Sequence, residues 1–344
     1  MSGAAAVGAA DREPVTQSGV TRADVQRAAE RIAGRVRLTP VAMISPGDLW
    51  LPSGGCLKLE YVQHTGTFKA RGAFNRILGA RERGELDPAV GIVVASGGNA
   101  GLANAYAAAH VGVPATVFVP QTAPATKVAR LRSYGTTVVQ QGQEYAEAFA
   151  AAMEHVARTG AVYCHAYDQP EIVAGAGTLA LELLDQVSSA AAQVDTVVVA
   201  VGGGGLMGGI AAALDGRAQV VAVEPAGAAT LNSALAAGEP VDVPVSGIAA
   251  DSLGARRIGS IAWEIACRAN VTSVLVDDDA IIEARRSLWD QARIVVEHGA
   301  ASAMAALSSG AYRPSPGELV AVILCGANTD PADLSAGAVH DQGA

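Results

Sequence analysis

The residue best placed to do covalent chemistry is Lys69, in the run His64-Thr65-Gly66-Thr67-Phe68-Lys69-Ala70-Arg71-Gly72-Ala73. Small residues on both sides let something bulky approach the amine. A lysine partly withdrawn from water has its charged form disfavoured, which frees the amine for Schiff-base chemistry. Alone the signal is weak, because a lysine between Phe and Arg is more often a surface residue whose stem lies on apolar neighbours. Two glycine-rich turns further along strengthen it. Ser96-Gly97-Gly98-Asn99-Ala100-Gly101 follows an apolar strand pattern and opens a helix pattern, and so does Gly202-Gly203-Gly204-Gly205-Leu206-Met207-Gly208-Gly209. Backbone N–H groups with no Cβ in front of them, at a helix N-terminus, make a ready anion site. Four consecutive glycines favour the second turn for a phosphate. A competing reading exists. Gly203, Gly205 and Gly208 match G-x-G-x-x-G, and Glu224 closes the next strand pattern about 20 residues on, as a dinucleotide site requires. That nicotinamide-dependent oxidoreductase reading leaves Lys69 and the Ser96–Gly101 turn without a role.

The elements that must position these residues alternate. Apolar strand patterns are expected at Cys56–Val62, Gly91–Ala95, Ala115–Val119, Thr136–Gln140, Val162–His165, Thr196–Val201, Val220–Val223, Ser273–Val276 and Leu319–Leu324. Helix patterns lie between them, after a first helix capped by Thr21, and Gly175-Ala176-Gly177-Thr178 reads as a tight entry into one of them. Alternating strands and helices imply parallel sheets covered on both faces. Nine strands are many for one sheet, so the fold class is α/β with two domains, each a mostly parallel twisted sheet flanked by helices. The expected division is a large domain at 21–62 plus 158–330, a small substrate-binding domain at 63–157, and tails at 1–20 and 331–344.

With these pieces in order, the chain from the Leu38-Thr39-Pro40 region to Asp330 resembles the serine/threonine dehydratases (ammonia-lyases) of the tryptophan-synthase-β family, the fold type II pyridoxal-phosphate enzymes. Thr65–Ala73 is similar to the family's segment bearing the Schiff-base lysine, Lys69, with Phe68 beside the cofactor. Ser96, Gly97, Gly98, Asn99 and Ala100 resemble the loop that holds the substrate carboxylate, Asn99 also meeting the cofactor's 3′-oxygen. Gly202, Gly203, Gly204 and Gly205 with Leu206 resemble the phosphate loop, and Leu324-Cys325-Gly326-Ala327-Asn328 the segment whose Ser or Cys touches the pyridine nitrogen. The resemblance implies pyridoxal 5′-phosphate as cofactor and dehydration of a β-hydroxy L-amino acid: threonine to 2-oxobutyrate and ammonia, serine to pyruvate and ammonia. Lys69 would take the α-proton. A neutral Cys325 would favour elimination over transamination. Gly97 stands where racemising relatives carry Ser, so racemisation should be negligible. Other reactions on the same cofactor remain open, of the threonine synthase, hydroxyaspartate dehydratase or diaminopropionate lyase kind.

The sequence departs from the family pattern in three places. Glu224 and Ala228 fit the family's divalent-cation site, but Thr230 stands where an Asp is expected, and one carboxylate with carbonyls is a poor Mg²⁺ or Ca²⁺ site. No divalent metal is therefore assigned, and Glu224 and Ala228 stay open as ligands of a monovalent ion. His298, in Glu297-His298-Gly299-Ala300-Ala301, replaces a usual Pro, and Ala249-Ala250-Asp251-Ser252-Leu253 lacks the usual Gly after its Asp.

A formal charge of −9 over 344 residues argues against nucleic acid or an anionic membrane as main partner. No apolar run reaches the ~18 residues of a membrane span. The residues before Val20 lack the basic start and apolar segment of a secretory signal. Cys56, Cys164, Cys267 and Cys325 stand too far apart for a zinc site or a disulfide framework. The expected setting is cytoplasmic, with a small amino acid as partner and a homodimer as the assembly implied by the resemblance.

Overall fold

The computed structural model describes residues 19–190 and 192–335, so the extreme tails expected from sequence lie outside the described residues. Among the described residues ten strands form two sheets: β1 (Val41–Ile44), β2 (Gly55–Lys58), β3 (Ile92–Ala95), β4 (Ala115–Val119), β5 (Thr137–Gln140), β6 (Val162–Tyr163), β7 (Thr196–Ala200), β8 (Gln219–Pro225), β9 (Thr272–Val276) and β10 (Val320–Ile323). The larger sheet has the order β1-β2-β10-β7-β8-β9 and the smaller β5-β4-β3-β6. Every pairing is parallel except that of β1 with β2. Strands β2, β3, β7 and β10 are buried along their whole length, as sheets with helices on both faces demand.

Five expectations need correction. β1 was not foreseen. The strand expected to reach Val62 ends at Lys58, and the chain then coils through the 3₁₀ turns Glu60–Val62 and His64–Gly66. β6 pairs with β3, so the small sheet extends past residue 157, the boundary expected for it. Ala332–Ser335, expected in the C-terminal tail, is one helical turn.

Gly175 and Gly177 do not open a helix either. They lie inside the helix Pro170–Ser189, which begins with Pro at its first turn. There they form a contact stripe: a Cβ on Gly175 would stand 2.7 Å from the Arg71 carbonyl oxygen, and one on Gly177 2.3 Å from that of Gly209. The helices Lys69–Glu82 and Gly205–Leu214 thus pack backbone to backbone against one central helix. The elements carrying the lysine and the four-glycine turn share a single support.

A buried ionic network fixes the first of these helices. Arg71 Nε donates to Glu60 Oε1 at 2.5 Å and its Nη2 to Glu182 Oε2 at 2.9 Å. The fully buried Lys58 donates to Glu182 Oε1 at 2.5 Å and to Gln186 Oε1 at 2.8 Å. Charges this deep are tolerated because each meets a partner. They tie β2, the lysine helix and the central helix together.

Candidate active site

Lys69 opens its helix, and its Nζ donates to the Ala166 carbonyl oxygen at 2.7 Å, above the Phe68 ring, whose centroid lies 4.9 Å away. Burial pushes its pKa down to about 8, against smaller opposing effects of Cys325 and Glu297. Thr67, two residues earlier, is fully buried with an unpartnered hydroxyl.

The Gly202–Gly205 turn leaves β7 and starts the helix Gly205–Leu214. Gly204 has φ of 82°, and a Cβ there would stand 2.5 Å from Ile258 Cδ1. The first N–H groups of a helix have no intrahelical acceptor and face outward from its end. Lys69, Phe68, Asn99, Gly202, Gly203, Gly204, Gly205, Leu206 and Cys325 line one narrow cavity of about 50 Å³, together with Tyr167, Ser252, Leu253 and Glu297. The structure therefore brings together every residue assigned to the cofactor from sequence.

Cys325 is buried, and burial raises its thiol pKa, keeping it neutral. Its segment runs beside the one that leads to Lys69. Phe68 N–H donates to the Cys325 carbonyl at 3.1 Å, Ala327 N–H to that of Gly66 at 2.9 Å, and Asn328 Nδ2 to that of Thr65 at 2.9 Å.

The Ser96–Gly101 turn is arranged differently from a simple cradle. The Ser96 hydroxyl accepts the Gly98 N–H at 3.3 Å, and Ala100 is buried in the first turn of the helix Asn99–Val111. Gly97, Gly98 and Asn99 face a second cavity of about 240 Å³, which adjoins the first. Asn99 Nδ2 donates to both oxygens of Glu297, at 2.9 and 3.1 Å, and its Oδ1 accepts from Asn328 at 2.6 Å.

Two features of the site escaped the sequence. Glu297 was passed over in favour of its neighbour His298, yet its carboxylate lines both cavities, and burial raises its pKa to about 7. His298 lines neither; it begins the helix His298–Ser308, half-buried, near Arg285 and Asp333. The other is the segment His165–Asp168, which joins the two sheets. Its Ala166 holds Lys69. The Tyr167 ring lies on the glycine turn, 2.4 Å from where a Cβ on Gly203 would be. Asp168 accepts the N–H groups of Ser260 and Ile261 at 3.0 and 3.1 Å, capping the helix Ser260–Ala269.

Glu224 is committed elsewhere. It is fully buried, its oxygens accept the N–H groups of Leu231 and Asn232 at 2.7 and 2.8 Å, and the Thr230 hydroxyl donates to Oε1 at 3.1 Å. A carboxylate so enclosed cannot reach a ribose, which removes the dinucleotide reading. Ala228 is buried beside it, and among the described residues no cluster of three or more metal-binding side chains occurs. Among those residues no helix is long and apolar enough to cross a membrane.

Comparison with known proteins identifies the family. The family described as pyridoxal-phosphate dependent enzyme matches residues 37–326. The chain is 38% identical to phenylserine dehydratase of Ralstonia pickettii, over 89% of this chain and 92% of that one. It is 34% identical to L-threonine ammonia-lyase of Geobacter sulfurreducens, over 90% and 76% respectively. Among solved structures, maize serine racemase superposes with a TM-score of 0.85 at 30% identity, covering 92% of this chain and 96% of that one. A fungal L-serine ammonia-lyase from Rhizomucor miehei gives 0.78 at 26% identity, covering 88% and 97%.

Proposed function

The chain belongs to the family of pyridoxal-phosphate-dependent enzymes, and from that premise we propose that it dehydrates β-hydroxy L-amino acids with Lys69 as the base. The dehydratases it resembles are named for phenylserine, threonine and serine, which brackets the substrate class. The observation that carries the reading is one cavity lined by both an amine with its pKa near 8 and a helix-end glycine turn.

The residues present fit the cofactor. A side chain on Gly203 or Gly204 would collide with Tyr167 or with Ile258 and Ala262, so the turn presents bare backbone, and an uncharged thiol, an amide and the amine face the same space. When bound, pyridoxal phosphate supplies an aldehyde that links to an amine and a pyridine ring that takes up electron density. Lys69 would hold it covalently, and the Gly202–Leu206 amides would take its phosphate. The neutral Cys325 adds no charge to the site. With its pKa down at about 8, the free Lys69 amine would be neutral often enough near that pH to accept the α-proton. The Ser96–Ala100 turn holds the carboxylate that orients the substrate. Loss of the α-proton and the β-hydroxyl, then hydrolysis, gives a 2-oxo acid and ammonia.

The large sheet with its helices would carry the cofactor and the small sheet the substrate. A homodimer working in the cytoplasm completes the reading; sedimentation and cell fractionation test those two points. The deciding experiment measures 2-oxo acid from L-threonine and L-serine. Activity is expected with the wild type, and Lys69→Ala should lose the yellow colour of the bound cofactor and at least about 10³-fold in rate. A colourless wild type, or a Lys69→Ala variant that still turns over, would refute the assignment.

A further inference from the structure

The cavity of about 240 Å³ beyond Asn99 and Glu297 meets the carboxylate turn along its Gly97–Asn99 edge, and the rest of it has no role in the steps above. Gly98, Leu102, Thr126 and Lys127 wall it on the small-sheet side, Asp251 and Ser252 on the other, and Asn99, Ser252 and Glu297 are shared with the inner cavity. A substrate whose carboxylate lies at the Ser96–Ala100 turn and whose α-carbon lies at Lys69 must send its β-substituent into free space. The inner cavity, at about 50 Å³, offers little. A cavity of ~150 Å³ suffices for benzene; the outer one exceeds that.

Its polar walls are already satisfied. Lys127 Nζ pairs with Asp251 Oδ1 at 2.5 Å across the cavity, and Asn99, Glu297 and Asn328 bond to one another. The remaining charges, Arg130 and Asp330, are of opposite sign and exposed. Nothing there calls for a charged substituent, and the fixed charges nearly cancel. Resting on the dehydratase reading, we propose that this outer cavity is the subsite for the β-substituent and that it selects a large neutral group of aryl size over the methyl of threonine, with Leu102 and Thr126 as specificity-determining residues. A methyl group leaves most of the cavity to water, whereas an aryl group displaces that water from Leu102 and the glycine backbone.

The test compares kcat/KM of the holoenzyme for L-threo-3-phenylserine, L-threonine and L-serine, read as 2-oxo acid. It also compares the dissociation constants of L-phenylalanine and L-alanine, which lack a β-hydroxyl, by calorimetry. Phenylserine should exceed threonine at least tenfold in kcat/KM, and phenylalanine should bind at least tenfold more tightly than alanine. Thr126→Trp, on the exposed first turn of the helix Ala125–Arg132, should cut both ratios at least tenfold. Equal ratios in the wild type, or ratios unmoved by Thr126→Trp, overturn the subsite. Absence of 2-oxo acid from all three substrates in a yellow protein overturns the dehydratase reading itself, and the subsite with it.

Discussion

Replacing Glu297 by Gln removes a buried ionisable group while keeping its shape and an oxygen to accept from Asn99. Burial holds this carboxyl protonated up to about pH 7 against an ordinary 4.5. Below pH 4.5 it is protonated in both folded and unfolded chains, and its contribution to stability is fully present. Between 4.5 and 7 the unfolded chain binds one proton fewer than the folded one, so stability falls as pH rises. At about 1.36 kcal/mol per pH unit the loss totals about 3 kcal/mol and is complete above pH 7. Gln cannot ionise. The stability of Glu297→Gln minus that of the wild type should therefore climb by about 3 kcal/mol from pH 4.5 to pH 8, other groups cancelling. Urea denaturation of both proteins stripped of cofactor, followed by circular dichroism, measures this difference. A difference that stays flat to within about 0.5 kcal/mol, the range of an ordinary surface substitution, refutes the claim that Glu297 is held protonated by burial.

Gly203→Ala sets a methyl 2.4 Å from the Tyr167 ring, which must swing away or push the turn out of shape. Pyridoxal phosphate titrated into the stripped variant should bind at least about tenfold more weakly, and unchanged affinity would show that the turn does not hold it. Lys58→Met takes one member from a buried ion network and leaves Glu182 short of a partner. The expected cost is about 3 kcal/mol in chemical denaturation, and a loss below about 1 kcal/mol would show that Arg71 alone neutralises Glu182. L-Serine should yield pyruvate without D-serine if Gly97 occupies the position of the Ser that the resemblance gives to racemising relatives, since glycine has no proton to give; chiral chromatography of the reaction decides it. A Ser at this position would have its Cβ 3.2 Å from Val119 Cγ1, close enough that the valine must shift slightly.

The alternation of strand and helix was legible because buried parallel strands read as unbroken apolar runs, as in Thr196–Ala200 and Val320–Ile323. β1 was not, since a four-residue antiparallel edge strand after Pro40, only partly buried, has neither the length nor the alternation to stand out. Lys69 and the glycine turns announced themselves through local chemistry. Glu297 did not, because its meaning comes from Asn99, 198 residues away, and a lone glutamate before a helix looks like an ordinary cap. Tyr167 was hidden for the same reason: nothing local marks an aromatic ring as the cover of a distant turn. Glu224 misled in the opposite direction, its position matching a ribose ligand while tertiary contacts spend it on a helix end.

The four residues His165–Asp168 touch the lysine, the glycine turn and the helix Ser260–Ala269 in immediate succession. His165 Nδ1 accepts the N–H groups of both Tyr167 and Asp168, at 3.1 and 2.8 Å, which locks the tetrapeptide into one shape. It also follows directly on β6, at the edge of the small sheet. A shift of that sheet against its neighbour is thus delivered to the amine and to the glycine turn at once. The Lys69 amine and the Gly202–Gly205 turn are tied to one tetrapeptide, and a change at this crossing retunes both together.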